Sequence, residues 1–442
     1  MKKITLLFIT VFLFFNACKK DGVENTDDVK IGNAVAFSNN VSTEWMNLFR
    51  FVAQNETLNP PIASRFYAYA GITLYESVVK GASGFKSIAN QLNGNLQLPK
   101  VNYLDIDYEL ASSEALYVIA KNVLNKTLLV SSNDTIEKLR LKILYDKRNS
   151  IESNLINNSI QYGRIIGNAV LNWSRSDYYD IIKNKFYGIP SRSVNPKFWA
   201  PTDNVNLNPI EPFWGEIRTF AIEHSTSCFV PSNIPFSTVV GSAFYNQAQE
   251  VVDVKANLTT EQEHIAMWWA DVPGVTPSPS GHWINIATIL SNQLHLNLVQ
   301  SAEMYALVGI AAGDAFISCW EAKYRINLLR PKTYIRDYIA GQSNWEPKWA
   351  TPPFPEYTSG HSVCSGAVAT ILTHLFGNIS FTDNTNSYLG VPSRSFTSFN
   401  NAAAEAAISR LYGGIHYREA IELGIIQGNK VGNTIIDKIK TK

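Results

Sequence analysis

The sequence predicts an all-α protein, and three observations carry the prediction. From Val41 to about Trp173, and again beyond Ser242, the apolar residues recur at helical spacing. Runs that alternate with period two, the mark of half-buried strands, are few. The composition is that of a folded chain: 45% hydrophobic, 12% aromatic and no low-complexity tract in 442 residues, enough for one large core or two smaller ones. A formal net charge of +1 leaves no basic field for nucleic acid and no acidic tail, so any anion site must be local.

Residues 1–18 read as a processing signal: Lys2 and Lys3, the apolar run Ile4 to Phe15, then Asn16-Ala17-Cys18. The run is short for a bilayer span, and a small residue before a cysteine resembles a bacterial lipoprotein cleavage site; a plain secretory signal and an uncleaved anchor are the other readings. On the lipoprotein reading Cys18 is the lipidated N-terminus, residues 19–40 are a tether, and the protein is an exported cell-envelope lipoprotein that meets the membrane only through its lipid. Cys228, Cys319 and Cys364 remain; their spacing fits no metal motif, and they read as buried thiols.

An N-terminal helical bundle is expected over 41–205. Ser42 to Trp45 opens a helix carrying Leu48 and Phe49, and Pro60-Pro61 heads a second, Ile62 to Val79, closed by Gly81. Tyr103 to Leu124 and Asn133 to Trp173 follow, the last with Gly163 and Gly167 as points of bending or breakage. Between Ser174 and Phe213 the pattern lapses into aromatic and proline-rich sequence. A connection of this length covers a site or bridges two bundles, and it marks the boundary between halves. The C-terminal bundle, 206–442, has helices near Ser242 to Val254, Thr260 to Ala270, Trp283 to Leu298, Ser301 to Arg330 as one long or once-broken helix, Val363 to Phe376 and Asn401 to Leu411, and a last one opened by His416.

Ser359-Gly360-His361 runs into the apolar stretch Val363 to Phe376 and therefore sits at a helix N-terminus. Unpaired N–H groups and the positive end of the dipole favour an anion there, and the glycine lets an oxyanion approach the backbone. His361 stands beside that anion as a proton donor. Lys323 and Arg330 are seven apart and share a helix face with Trp320 and Asn327, which reads as a pocket wall; Pro331 ends the helix. Ser409-Arg410 closes an alanine-rich helix, and Gly413-Gly414 supplies the turn that lets Arg410 and His416 converge on one ligand. A second Ser-Gly-His copy, Ser280-Gly281-His282, precedes the Lys323 element.

The order Lys-x6-Arg-Pro, Ser-Gly-His, Ser-Arg-x5-His resembles the superfamily that unites vanadium-dependent haloperoxidases with type 2 phosphatidic acid phosphatases and bacterial acid phosphatases. In that family the Ser-Gly-His element follows the Lys-Arg element, so Ser359 to His361 fits and the earlier copy is a decoy. Pro60 to Arg65, Trp199 to Thr202 and Trp268 to Asp271 also look like bacterial haloperoxidase sequence, and Pro279 to Trp283 resembles their loop near the site entrance, which His282 would line. The resemblance implies two four-helix bundles of the vanadium haloperoxidase and acid phosphatase type, with the oxyanion site in the second. It implies vanadate as cofactor, held by Lys323, Arg330, Ser359, Gly360, Arg410 and His416. His416 would ligate the metal, His361 would be the acid–base that helps hydrogen peroxide in, and Lys323 would polarise the peroxide for attack by halide. Trp320 and Phe354 would wall the halide pocket.

The sequence departs from the family pattern at two positions. Thr358 stands where the family has Pro ahead of Ser-Gly-His; either residue can precede a helix. Ala420, four past His416, stands where the phosphatases carry an Asp that orients their nucleophilic His, a loss expected to hurt a phosphatase more than an enzyme whose His coordinates a metal. The expected activity is oxidation of halide by hydrogen peroxide to hypohalite, with iodide first, bromide weakly and chloride not at all, and with an organic acceptor as a further partner. The alternatives are an acid or lipid phosphatase using His416 as nucleophile, and a non-catalytic surface lipoprotein. Against the lipid enzyme, the chain beyond its leader is expected to lack an apolar segment of about 20 residues, the length of a membrane span.

Overall fold

Asn59 caps the helix on which much of the core is built: its side chain accepts from Ile62 N, and two prolines, whose missing N–H groups cost nothing in a first turn, follow it. The computed structural model describes residues 33–101, 105–202 and 208–442. The expected leader with Cys18, most of the expected tether, and the expected boundary at 205/206 lie outside the described residues. From Asn33 onward the tether is already part of the fold, because Ala34 and Phe37 are buried and the Phe37 carbonyl accepts from Leu298 N.

The described residues hold fourteen α-helices and one two-stranded sheet. In order they are α1 (Asn40–Asn55), α2 (Pro60–Val78), α3 (Tyr108–Asn122), α4 (Val130–Arg148), α5 (Ser153–Ser174), α6 (Tyr179–Ile182), α7 (Ala243–Ala256), α8 (Thr260–Trp268), α9 (Ser278–Gln293), α10 (Leu298–Ile326), α11 (Pro331–Tyr338), α12 (Gly360–Phe376), α13 (Phe399–Tyr412) and α14 (Arg418–Lys438). Strands β1 (Phe381–Asp383) and β2 (Arg394–Phe396) pair antiparallel between α12 and α13. At three residues each, they are too short to show alternation in the sequence.

The expected helix from Asn133 to Trp173 is two helices, and the break falls at 149–152 rather than at a glycine. Gly163 and Gly167 instead let α5 lie against the backbone of α3, where a side chain would collide with the carbonyls of Ala111 and Ala115. The same device joins the halves. A Cβ at Gly71 of α2 would overlap the Tyr305 carbonyl of α10, and one at Gly309 of α10 would meet the Tyr67 carbonyl. One hydrophobic cluster consequently runs from Ala34 to Ile439 through both halves. The irregular connection is pinned to it by Asp314 of α10, whose buried carboxylate accepts from Phe220 N, Ala221 N and Ile222 N at 2.6, 2.8 and 2.9 Å.

Four expectations about α10 and other C-terminal elements are corrected. The helix is long and apolar enough to cross a membrane by length and composition, with a mean hydropathy of 1.3 in its most apolar window, yet that window is wholly buried in protein. It stops at Ile326, because Asn327 adopts the left-handed conformation (φ 53°), one that asparagine tolerates better than most residues. Arg330 is therefore not a turn of the same helix as Lys323 but the residue that precedes α11. Pro279 to His282, expected as a loop ahead of a helix starting at Trp283, forms the first turn of α9. His416 lies in the loop before α14 rather than opening it.

Candidate active site

Several chain segments bring their ends to one place: the last turn of α10 with Trp320 and Lys323, the start of α11 with Arg330, the segment from Phe354 into α12, the last turn of α13 with Arg410, and the loop carrying His416. A cavity of about 390 Å³ opens there, bordered by Trp320, Phe354, Gly360, His361, Arg410 and His416. Of the other sequence-predicted site residues, Ser359 adjoins Gly360, and Lys323 and Arg330 lie behind the lining, against the Phe354 ring, with Arg330 also bonded to His416.

Ser359 caps α12, its side chain accepting from Ser362 N at 3.4 Å, while its own N–H donates to the Ala420 carbonyl at 3.0 Å. Lys323 is fully buried. Its Nζ donates to the carbonyls of Pro355, Glu356 and Thr358 at 3.2, 3.0 and 2.5 Å, so its N–H groups hold in place the segment that leads to Ser359. Burial lowers its pKa to about 8, and the neighbouring Arg330 charge acts in the same direction. A buried carbonyl left unpaired costs about 1–3 kcal/mol. Lys323→Ala is accordingly expected to lose about 3 kcal/mol or more of stability, read from denaturant unfolding, besides losing activity. A variant as stable as the parent would show that the segment is held by something else.

Arg330 is fully buried and donates from Nε to the Phe354 carbonyl (2.9 Å) and from Nη1 to the Ile415 carbonyl (2.9 Å) and His416 Nε2 (3.2 Å). Its Nη2 has no hydrogen-bond partner among the described residues. Arg410 donates from Nε to Ser409 Oγ and from Nη2 to the Trp269 carbonyl. Burial lowers both guanidinium pKa values to about 10, which leaves both charged at neutral pH. Phe354 packs between cations and indole, with Arg330 Cζ 4.8 Å and Lys323 Nζ 5.1 Å from its ring centroid and the Trp320 ring 4.9 Å away.

The hydrogen bonds settle the tautomer of His416. Arg330 can only donate, so Nε2 presents a lone pair, and Nδ1–H donates to Glu356 Oε1 at 2.8 Å. That oxygen also accepts from Tyr417 N at 3.0 Å, so it is an acceptor whether or not the other oxygen carries a proton. Burial, then the charges of Arg330, Lys323 and Arg410, push the His416 pKa well below its ordinary value. A neutral imidazole with one nitrogen fixed by a carboxylate and a lone pair on the other is the form that ligates a metal. Burial raises Glu356 to about 7 against the pull of Arg330 and Lys323. Glu356 thus fills the orienting role that the sequence left vacant at Ala420. It stands three residues before Ser359, but nothing in its spacing pointed to His416, 60 residues on. Glu419 serves elsewhere, accepting from Ser232 Oγ and from the N–H groups of Asn233 and Ile234.

His282 does not line an entrance. It is fully buried, stacked on Trp269 (4.2 Å, 16°), with Nδ1 2.9 Å from Asp271 Oδ1 and Nε2 2.7 Å from Asp383 Oδ2. Burial disfavours its charge, but the two carboxylates overcome that and raise its pKa to about 9. The other oxygen of Asp271 lies 3.4 Å from His361 Nε2, near but not aligned as a formed hydrogen bond. Burial and the Arg410 charge lower His361 to about 4, with Asp271 opposing. Cys228, Cys319 and Cys364 are free and buried, as expected. Of the histidines outside the motifs, His224, His295 and His374 are exposed and His264 half-buried.

Three buried cations here face two buried carboxylates, Glu356 and Asp271, of which Asp271 is already matched by His282, and Arg330 Nη2 has no partner among the described residues. The cluster needs an anion, and its donors suit a tetrahedral oxyanion: planar forks, a point charge and a helix N-terminus. Vanadate fits, with the His416 Nε2 lone pair as the one protein atom placed to bond a metal.

The arrangement is that of a helical oxyanion-binding enzyme, and comparison with known proteins identifies which kind. Residues 303–442 match the model of the second helical-bundle domain of the vanadium chloroperoxidase family. A stretch of 87 residues is 33% identical to the vanadium chloroperoxidase of Curvularia inaequalis, spanning 16% of this chain and 14% of that one. The crystal structure of a bacterial vanadium-dependent iodoperoxidase superposes with a TM-score of 0.84 at 35% identity, covering 92% of this chain and 97% of the other. A bacterial vanadium-dependent chloroperoxidase, in apo and holo forms, shares the fold at 14% identity, with TM-scores of 0.63 and 0.61 over 86% of this chain and 94% and 92% of the other. The chain belongs to the vanadium-dependent haloperoxidases, enzymes that act on hydrogen peroxide with vanadate as cofactor.

Proposed function

We propose that this enzyme oxidises iodide, and bromide more slowly, with hydrogen peroxide to the hypohalite. Halide and peroxide, with one proton, give hypohalous acid and water. The observation that carries the reading is the neutral His416 Nε2 lone pair among Lys323, Arg330 and Arg410. Bound vanadate supplies the Lewis-acidic centre at which peroxide becomes electrophilic. His416 holds it, Arg330 and Arg410 neutralise its oxygens, and the α12 N-terminus at Ser359 and Gly360 takes the remaining charge. Lys323 acts by its charge and by the loop it holds. An ionised Asp271 3.4 Å from Nε2 favours the proton of neutral His361 on that nitrogen, which leaves Nδ1 as the atom to take the peroxide proton.

Iodide as first halide is supported by the similarity to the iodoperoxidase. The Trp320 and Phe354 pair walls the cavity and keeps water from the site, and the prolines at 60, 273, 279, 352 and 353 make the rest of its border apolar enough for an organic acceptor. Steady-state rates with iodide, bromide and chloride are expected to fall in that order, with chloride inert; chloride turnover comparable to iodide would refute the assignment. One observation favours a second reading. Glu356 gives His416 the orienting carboxylate that a phosphatase nucleophile needs, so the missing Asp at 420 no longer argues against phosphate ester hydrolysis. Vanadate-loaded protein that oxidises neither iodide nor bromide, yet hydrolyses a phosphomonoester without metal, would decide for it. The leader supports an exported lipoprotein anchored through Cys18, which labelling with a radioactive fatty acid tests.

A further inference from the structure

The second Ser-Gly-His copy, in the first turn of α9, reaches the site from behind. Asp271 turns one oxygen to His282 Nδ1 and the other to His361 Nε2. On the far side of His282, Asp383 Oδ2 accepts from the imidazole and from Trp268 Nε1 (2.9 Å), while its Oδ1 accepts from Thr385 N (2.9 Å) and Thr385 Oγ1 (2.5 Å). Four side chains therefore stand in line, Asp383, His282, Asp271 and His361, and only the last borders the cavity along with Asp271.

We propose that His282 is a positioning residue for His361: clamped as an imidazolium between Asp383 and Asp271, it keeps Asp271 ionised and aimed, and so keeps the His361 proton on Nε2 and the Nδ1 lone pair free. The proposal rests on His361 handling the peroxide proton. A carboxylate as buried as Asp271 would protonate without a charged donor. Burial works against its ionisation, and the charge and hydrogen bond of His282 are the largest opposing influence, holding it well below the usual carboxylate range. The other groups facing it do less. Arg410 on α13 directs its N–H groups to Ser409 and Trp269, Asn386 Nδ2 is 3.4 Å away and neutral, and Cys364 on α12 and Tyr388 after β1 are uncharged at neutral pH. Asp383 has Arg50 of α1 as a more distant counter-charge. Were Asp271 to protonate, it would become a donor to His361 Nε2 and drive the ring proton to Nδ1, closing the atom that must accept.

The direction of the pH effect follows. Activity needs Asp271 ionised, so removing the His282 charge raises the pH at which activity appears. In His282→Gln the acid limb of the pH–rate profile for iodide oxidation is expected to move up by roughly one to three pH units, while vanadium content after desalting stays unchanged. In vanadate-free protein at neutral pH, ring nitrogen NMR shifts should report the Nε2–H tautomer of His361 in the parent and the Nδ1–H tautomer in the variant. Asp383→Asn, which leaves His282 one carboxylate, should move the limb the same way by less, and it decides the matter if the glutamine variant does not fold. In the parent, His282 should stay charged between about pH 5 and 8, where a free imidazole titrates. A neutral His282 at neutral pH, or a rate lowered uniformly with the limb unmoved, would overturn the proposal. Should the parent prove inert toward iodide, the iodide reading fails separately and the ring shifts alone decide.

Discussion

His416→Ala is expected to leave a desalting column without vanadium. The substitution removes the neutral Nε2, the one protein lone pair placed among the three cations. Losing a partner that only orients a ligand costs about 10–100-fold in metal affinity, and losing the ligand itself costs more. Lys323, Arg330 and Arg410 would still attract an anion, so vanadate should bind to the variant as weakly as phosphate does, in fast exchange. His361→Ala makes the contrast. His361 borders the cavity but bonds none of the anion-binding residues, so the variant should keep its vanadium and lose about 10²–10⁴-fold in turnover, the range of a general acid–base. Elemental analysis of both after desalting separates the roles, and equal vanadium loss would refute them.

Glu356→Ala should be nearly as damaging, by a different route. It strips the acceptor from His416 Nδ1–H and Tyr417 N–H, both buried, at about 1–3 kcal/mol each. It also frees the imidazole to rotate or change tautomer, which should weaken vanadate binding by about 10–100-fold. Glu356→Gln is the informative partner. An amide oxygen at Oε1 can accept both N–H groups, and the amide nitrogen would fall where Oε2 has no partner. Recovery of most of the affinity and stability in the glutamine variant would establish that geometry matters at this position; a glutamine variant as impaired as the alanine one would assign the role to charge instead.

The parts of the site legible in the sequence are those encoded locally. A glycine and histidine after a serine at a helix start, or two glycines between Arg410 and His416, constrain the backbone within a few residues, and the structure places these groups as spacing suggested. Arg330 reached the site although it does not share an unbroken helix face with Lys323: of the two readings of 301–330 the broken one holds, and Asn327 makes the break. Glu356, Asp271, His282 and Asp383 were not legible as partners. Their pairing depends on where α8, α9, β1 and the loop before α14 come to rest, and a buried polar group carries no periodic signature that would reveal its partner across 60 or 101 residues. The burial of Lys323 and Arg330 was legible in part, because Trp320 shares their stretch, but their partners were not.

The close crossing of α2 and α10 at Gly71 and Gly309 bears on how such a protein can be divided. The recognisable segment begins at Glu303, five residues into α10, and carries every residue proposed to touch vanadate. Its first helix, however, is shaped to receive another backbone, and that backbone is encoded more than two hundred residues upstream. Transplanted alone, that segment would leave the α10 backbone at Gly309 without the α2 backbone it packs against, so the stretch recognisable by sequence is shorter than the stretch that can be moved as a unit.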